Sequence, residues 1–290
     1  MSQKPAEDVD GPVVDHTMPP KQPPMWQMLP PIGLAGLIAA GLILGSQLER
    51  WMYAIGVGGL QFLLAVALVW QLRARSPLPV VGIAMVLAAA SGWVAVYWSP
   101  VSLLPIASLL ALAFLASVVV QLFSSDRSHL VDRLSISMCV AIAVVGYSAY
   151  VALSRLGAAP PAMYAAVVAA GTAIVAARAV DVVMPAPRIN RQVPRGAFGV
   201  VIGVVCGTAA AAYAGVVLEG PEPTSAAIGG LLVALIAVLC DLSVGYLQAS
   251  RRIDGHGSAL WVVNSLLGPL LAFSLVGPVV YLISAYYMVA

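Results

Sequence analysis

The chain has 290 residues, of which 61% are hydrophobic and only 9% are charged. Soluble domains contain about 25% charged residues, so this composition excludes an ordinary soluble enzyme and predicts an all-α polytopic membrane protein. The net charge is +2 and the basic residues are spread over short loops, so nothing in the sequence indicates binding to nucleic acid.

The first 30 residues differ from the rest of the chain. They combine four acidic residues with many prolines, and the stretch MPPKQPPMWQMLPP (18–31) is too rich in proline to favour a helix. We therefore predict that residues 1–30 form a disordered, proline-rich cytoplasmic tail.

Nine apolar segments follow, which we interpret as transmembrane helices because a helix needs about 20 residues to cross a bilayer. The first five lie within residues 31–158 and the last four within 159–290. The first is short, and Pro269 and Pro278 in the last predict a kink, a tilt or a reentrant start. The segments are Ile32–Gln47, Trp51–Leu72, Leu78–Trp98, Val101–Phe123, Leu134–Leu153, Ala162–Met184, Ala197–Leu218, Thr224–Leu247 and Ala259–Met288.

The loop charges give an independent indication of topology. The N-terminal tail and the loops on its side of the membrane carry eleven Lys and Arg residues, whereas the loops on the other side carry two, Arg50 and Arg155. By the positive-inside rule the N-terminus is cytoplasmic, and after nine crossings the C-terminus is outside. Twelve arginines against two lysines, with abundant alanine, are typical of a GC-rich bacterial gene, so we expect a multi-pass protein of the cytoplasmic (inner) membrane.

The seventh segment carries a glycine stripe, which we define as Gly199, Gly203, Gly207 and Ala211. Small residues spaced by four let another helix approach closely. The partner is either another helix of the same chain, which we favour, or a homodimer or other membrane protein.

Charges inside predicted membrane helices are rare and expensive, so each one is a candidate functional residue. Arg178 and Asp181 are three residues apart on the sixth segment, within two turns of its cytoplasmic end, where they could form an intramembrane pair. We favour a local ion pair that reaches the interface over a role in a site. Asp241 lies toward the inner end of the eighth segment. If those two helices are adjacent, the three residues surround one pocket at the cytoplasmic face.

The stretch CDLSVGYLQASRRIDGHGSALWVVNS (240–265) places an acid, a basic pair and a glycine-flanked histidine before the last apolar segment. This order resembles the C-terminal signature of the CDP-diacylglycerol synthases, also called phosphatidate cytidylyltransferases. The loop RINRQVPRGAFG (188–199) is similar to a basic loop of that family in position. The resemblance covers residues 160–290 and rests on Asp241, Leu242, Arg251, Arg252, Gly255, His256 and Gly257.

The resemblance implies transfer of a cytidylyl group from CTP to phosphatidic acid, with Mg²⁺ between the two sets of phosphates. It implies that Asp241 binds the metal and that Asp254 and His256 act with it in catalysis. The residues implied to bind phosphate or a lipid headgroup are Arg191, Arg195, Arg251 and Arg252.

The sequence departs from the family where the chemistry is most demanding. Val244 stands in place of a glutamate, and Trp261 and Asn264 stand in place of two aspartates. One carboxylate rarely holds Mg²⁺ alone. We therefore favour a catalytically degenerate member that binds anionic phospholipid or acts as a regulatory or assembly partner in envelope phospholipid metabolism. An active Mg²⁺-dependent enzyme that binds CTP, and an unrelated structural or transport protein, remain open as alternatives.

Overall fold

The structure, a computed structural model, describes residues 25–72, 77–123, 130–157, 159–189, 193, 195–218, 222–253 and 261–289. Within these ranges the chain forms ten α-helices, and the only β-type backbone pairing is an isolated antiparallel bridge between Arg188 and Gly196. The helices are α1 (Met25–Gly45), α2 (Arg50–Leu72), α3 (Pro77–Tyr97), α4 (Leu104–Leu122), α5 (Leu130–Gly146), α6 (Ser148–Ser154), α7 (Pro160–Val183), α8 (Ala197–Val217), α9 (Pro223–Ile253) and α10 (Trp261–Val289).

Eight stretches of helix in the described part of the chain are long and apolar enough to cross a membrane. One of them, Val131–Ser154, joins α5 and α6, which are separated only by a turn at Tyr147. The apolar part of α1, Leu29–Gly45, is shorter than the others, as the sequence suggested. The predicted class of all-α polytopic membrane protein is confirmed, while the orientation of the two termini stays a prediction from the loop charges.

Helix α1 begins earlier than predicted. It starts at Met25 and contains Pro30 and Pro31, so the interpretation of residues 25–30 as part of a disordered tail is wrong. Each proline removes one helical hydrogen bond, but membrane helices tolerate prolines because neighbouring helices and local adjustments satisfy the freed carbonyls. Residues 1–24 of the predicted tail lie outside the described residues.

Helix α1 runs antiparallel to α7. A Cβ atom on Gly171 would lie 3.2 Å from the Cβ of Ala39. Seven residues after Ala39, just past the end of α1, the Ser46 hydroxyl donates to the Tyr164 hydroxyl at 3.1 Å. Residue numbers therefore increase along α1 in the direction in which they decrease along α7. The short first helix is thus part of the bundle and lies along one of its longest members.

Helix α10 lies at the centre of the bundle and packs against α1, α2, α5, α6, α7 and α9. It is one continuous helix through Pro269 and Pro278, so the alternative of a reentrant start does not apply to Trp261–Val289. It crosses α5 where Gly146 and Gly277 meet: a Cβ on Gly277 would lie 2.6 Å from the Gly146 carbonyl oxygen. This crossing needs glycine on both helices.

The glycine stripe of α8 packs inside the chain. A Cβ atom on Gly203 would lie 2.7 Å from the Ala173 carbonyl oxygen, and one on Gly207 would lie 2.7 Å from the Ala169 carbonyl oxygen, both on α7. Ala211 packs against Gly230 of α9. The interpretation of the stripe as intramolecular packing is confirmed, and this face is not available to a second copy of the chain.

Candidate functional site

Arg178 of α7 and Asp241 of α9 form a two-pronged ion pair between the helices. The Arg178 Nε donates to Asp241 Oδ2 at 2.8 Å, and Nη2 donates to Oδ1 at 2.5 Å. This parallel geometry is the strongest form of arginine–carboxylate contact. It joins α7 to α9, so the condition that the sequence left open, adjacency of the sixth and eighth predicted segments, is fulfilled.

Arg195, in the loop just before α8, connects this pair to Asp181. Its Nη1 donates to Asp181 Oδ2 at 2.7 Å, and its Nη2 donates to Asp241 Oδ2. The second oxygen of Asp181 accepts the backbone N–H of Gly196 at 2.9 Å. Arg178, Asp181, Arg195 and Asp241 therefore form one cluster, which we call the arginine–aspartate quartet.

The partners within the quartet differ from those that the sequence suggested. Arg178 and Asp181 lie on the same helix, but Arg178 pairs with Asp241 and Asp181 pairs with Arg195. Spacing along one helix shows which side chains are neighbours, whereas the contact actually formed depends on which charges the other helices bring close. Arg178, Asp181 and Asp241 therefore meet in one cluster, while the pocket that the sequence analysis placed among them at the cytoplasmic face stays a prediction.

Glycines let the backbones come close enough for these contacts. A Cβ atom on Gly199 of α8 would lie 2.8 Å from the Ala177 carbonyl oxygen and would collide with the Asp181 carboxylate. One on Gly268 of α10 would collide with the Asp241 carboxylate and lie 3.0 Å from Arg178 Nη2. Glycine is required at both positions because atoms of a neighbouring helix occupy the space that a side chain would need.

The quartet is buried and carries no net charge. The Asp241 side chain is fully enclosed, the Arg195 side chain is 7% exposed and the Arg178 side chain is 21% exposed. Burying four charges is tolerable only because each carboxylate accepts hydrogen bonds from arginine or backbone donors. Arg178 is the one member of the four that keeps a substantial part of its side chain accessible.

The described residues around Asp241 do not fit a Mg²⁺ site. Both oxygens of Asp241 accept from guanidinium groups, and those two positive charges would repel a cation. The described part of the chain contains no group of three or more His, Cys, Asp or Glu side chains that could hold a metal. Val244, which stands where the family signature has a glutamate, is 1% exposed in the apolar core.

The basic pair Arg251–Arg252 lies in the last turn of α9 instead of in a loop, because α9 extends to Ile253. Asp241 consequently lies 12 residues, about 18 Å, before the end of its helix. The Arg251 Nη1 donates to the carbonyl oxygen of Gln71 at 3.2 Å and to its side-chain Oε1 at 2.8 Å. Part of Arg251 therefore stabilises the C-terminal end of α2, where helix carbonyls lack partners.

Three predicted site residues lie outside the described residues: Arg191, Asp254 and His256. Arg252 belongs to α9. The predicted roles of all four residues in catalysis or phosphate binding stay predictions.

The sequence-based search missed a second polar cluster, in the N-terminal half. The Gln61 side-chain amide donates to the Val144 carbonyl oxygen at 2.9 Å and to the Ser148 hydroxyl at 3.0 Å. The Ser148 hydroxyl donates to Ser91 at 2.8 Å. We call Gln61, Ser148 and Ser91 the amide–hydroxyl chain. A signal was present, because Gln61 is an isolated amide within an apolar segment.

Comparisons of the chain with protein-family models, curated protein sequences and solved structures gave no match. The resemblance to CDP-diacylglycerol synthases therefore rests on the residues quoted from the sequence.

Proposed function

We propose that this chain is a catalytically degenerate relative of the CDP-diacylglycerol synthases that binds an anionic phospholipid headgroup at the end of the bundle where α7 ends and α8 begins. In this role it would serve as a regulatory or assembly partner in the phospholipid metabolism of a bacterial inner membrane. The observation that supports loss of catalysis is the state of Asp241, whose two oxygens are taken by Arg178 and Arg195.

Charge supports the choice of an anionic ligand. The described part of helices α7–α10 and the loop between α7 and α8 contains five arginines, against two aspartates near them, Asp181 and Asp241. The arginines are Arg178, Arg188, Arg195, Arg251 and Arg252. The excess is positive. Arginine near a membrane surface favours anionic lipid by about 1 kcal/mol per residue, and its planar guanidinium suits phosphate oxygens.

The geometry supports a structural role for one arginine and a ligand-binding role for two others. Arg195 is buried and committed to two aspartates, so its role is to hold the loop against α7 and α9. Arg178 presents the exposed fifth of its side chain, and Arg188 lies in the loop with its side chain partly exposed. These two are the residues of the described site that can reach a headgroup.

A binding experiment tests the headgroup proposal. Native mass spectrometry of the detergent-purified full chain should show retention of phosphatidylglycerol over phosphatidylcholine. Arg188→Gln should weaken phosphatidylglycerol binding by about fivefold, the equivalent of about 1 kcal/mol. Arg50→Gln, which removes the same charge at the start of α2, is the matched control and should leave binding unchanged. Equal binding of both lipids would contradict the proposal.

An activity assay tests the absence of catalysis separately. Purified protein given labelled CTP, phosphatidic acid and Mg²⁺ should form no CDP-diacylglycerol. Product that appears in this assay and is lost in Asp241→Asn would establish the active enzyme instead.

A further inference from the structure

A groove of about 390 Å³ opens between α2 and α3. Its α2 wall contains Trp51, Ile55, Gly58 and Gln61, and its α3 wall contains Gly92 and Trp93. The groove is open at Gly58 and Gly92, since a Cβ atom on either would meet no other atom within 4 Å. They differ in this from the glycines of α8, whose side-chain space is filled by α7.

The groove extends over one half of the membrane thickness. From Trp51 to Gln61 there are ten residues, about 15 Å of helix, and the hydrocarbon core is about 30 Å thick. Trp51 is 50% exposed and Gln61 is 1% exposed. Further along the same face, Ala65 and Leu68 are buried. The groove is therefore open at the Trp51 end and closed near the middle of the bundle.

The open end carries the aromatic residues expected at a membrane–water interface. The rings of Trp93 and Tyr97 lie 4.3 Å apart and are largely exposed, and the Trp51 indole N–H donates to Glu49 at 2.5 Å. The other end of α2 contacts Arg251 through Gln71. The groove thus lies in the leaflet opposite the arginine-rich end of α9.

We propose that this groove binds one hydrocarbon chain of a membrane lipid, with the chain reaching from the aromatic end to the level of Gln61. The walls favour such a ligand because they are apolar, and because both hydrogens of the Gln61 amide are already donated to Val144 and Ser148. Small residues allow close van der Waals contact, which is the main attraction available where the solvent is itself apolar.

The length of the groove decides between a lipid chain and a partner helix. A transmembrane helix crosses both leaflets and needs a contact face about 30 Å long. This groove ends after about half of that length, at Gln61. A lipid chain ends near the middle of the bilayer, so its length and that of the groove agree.

Photolabelling tests the proposal. The full chain is placed in nanodiscs of phosphatidylethanolamine and phosphatidylglycerol that contain a phosphatidylethanolamine with a diazirine midway along one acyl chain. We expect cross-links concentrated on the residues that line the groove. Gly58→Leu combined with Gly92→Leu should abolish these cross-links by filling the groove, and the open space at both positions means that the fold is kept.

The control is Gly56→Leu, on the same helix. Gly56 is exposed, would also meet nothing within 4 Å and does not line the groove, so its substitution should leave labelling unchanged. Thermal unfolding of each variant reports whether it folds, and Gly58→Ala, which adds only a methyl group, should give partial loss of labelling. Three results would overturn the proposal: labelling unaffected by the double substitution, equal labelling of exposed positions such as Phe114 on α4, or an Ile55→Cys disulfide between two copies. The headgroup proposal concerns the other end of the bundle and does not depend on this result.

Discussion

The arginine–aspartate quartet and the amide–hydroxyl chain are two polar clusters inside one apolar bundle, and they are built in different ways. The quartet consists of four charges that glycines of α8 and α10 allow to meet. The amide–hydroxyl chain consists of neutral groups, and the adjacent surface of α2 and α3 is an open groove.

The difference concerns what happens when one member is lost. A buried charge without its partner is strongly destabilising, whereas a neutral group in a membrane helix often finds a substitute partner. The two halves of the bundle should therefore respond very differently to removal of one polar side chain. Asp241→Ala and Ser148→Ala test this expectation, and a third substitution, Gly199→Ala, tests the close packing that the quartet needs.

The largest effect is expected for Asp241→Ala. It leaves Arg178 and Arg195 facing each other without their shared carboxylate, so the free energy of unfolding should fall by about 3–5 kcal/mol. Unfolding of the detergent-purified protein measures the change. Ser243→Ala is the control, since this exposed hydroxyl bonds only to a carbonyl of its own helix, Cys240, at 2.7 Å. Equal stability of the two variants would show that the quartet is not a source of stability.

An intermediate effect is expected for Gly199→Ala, which adds one methyl group against Asp181 and the α7 backbone. Overpacking of this kind lowers stability by about 1–3 kcal/mol. The same substitution at Gly58 in the groove should be neutral or should stabilise by up to about 1 kcal/mol, because alanine favours helix and meets no neighbour there. Similar losses at both positions would remove the distinction between the closed and the open face.

The smallest effect is expected for Ser148→Ala, which removes an acceptor for Gln61 and a donor to Ser91. Hydrogen bonds between membrane helices contribute about 0.6 kcal/mol on average, so unfolding should change by about this amount. Ser154→Ala, which loses a bond within its own helix to Val151, serves as the reference. A loss as large as that of Asp241→Ala would mean that charge is not what distinguishes the two clusters.

Composition and hydropathy were enough to predict the class of fold and the positions of the apolar segments, because both depend on the chain's own length and polarity. Charged residues within those segments identified Arg178, Asp181 and Asp241 for the same reason. The sequence could not predict which arginine pairs with which aspartate in the quartet, since this follows from how α7, α8 and α9 pack. The start of α1 was missed because proline in a membrane helix costs less than composition suggests.

The amide–hydroxyl chain shows a different limit. Gln61 was visible as an isolated amide, but its partners Val144 and Ser148 are more than 80 residues away and are brought to it only by the packing of α2 against α5 and α6. Serine in an apolar segment usually bonds to its own helix, so Ser91 and Ser148 carry no distinctive signal.

The pairing of Asp181 with Arg195 has a consequence for the order in which the protein assembles. These residues are 14 positions apart and flank the turn of the α7–α8 hairpin, so the two charges neutralise each other as soon as that hairpin enters the membrane. The partner of Arg178 is Asp241, which lies on α9 and is synthesised later. We therefore expect Arg178 to lack its carboxylate partner during synthesis until α9 inserts and brings Asp241 to it. The ion pair between α7 and α9 thus marks the step at which the quartet is complete, before α10 packs against it through Gly268.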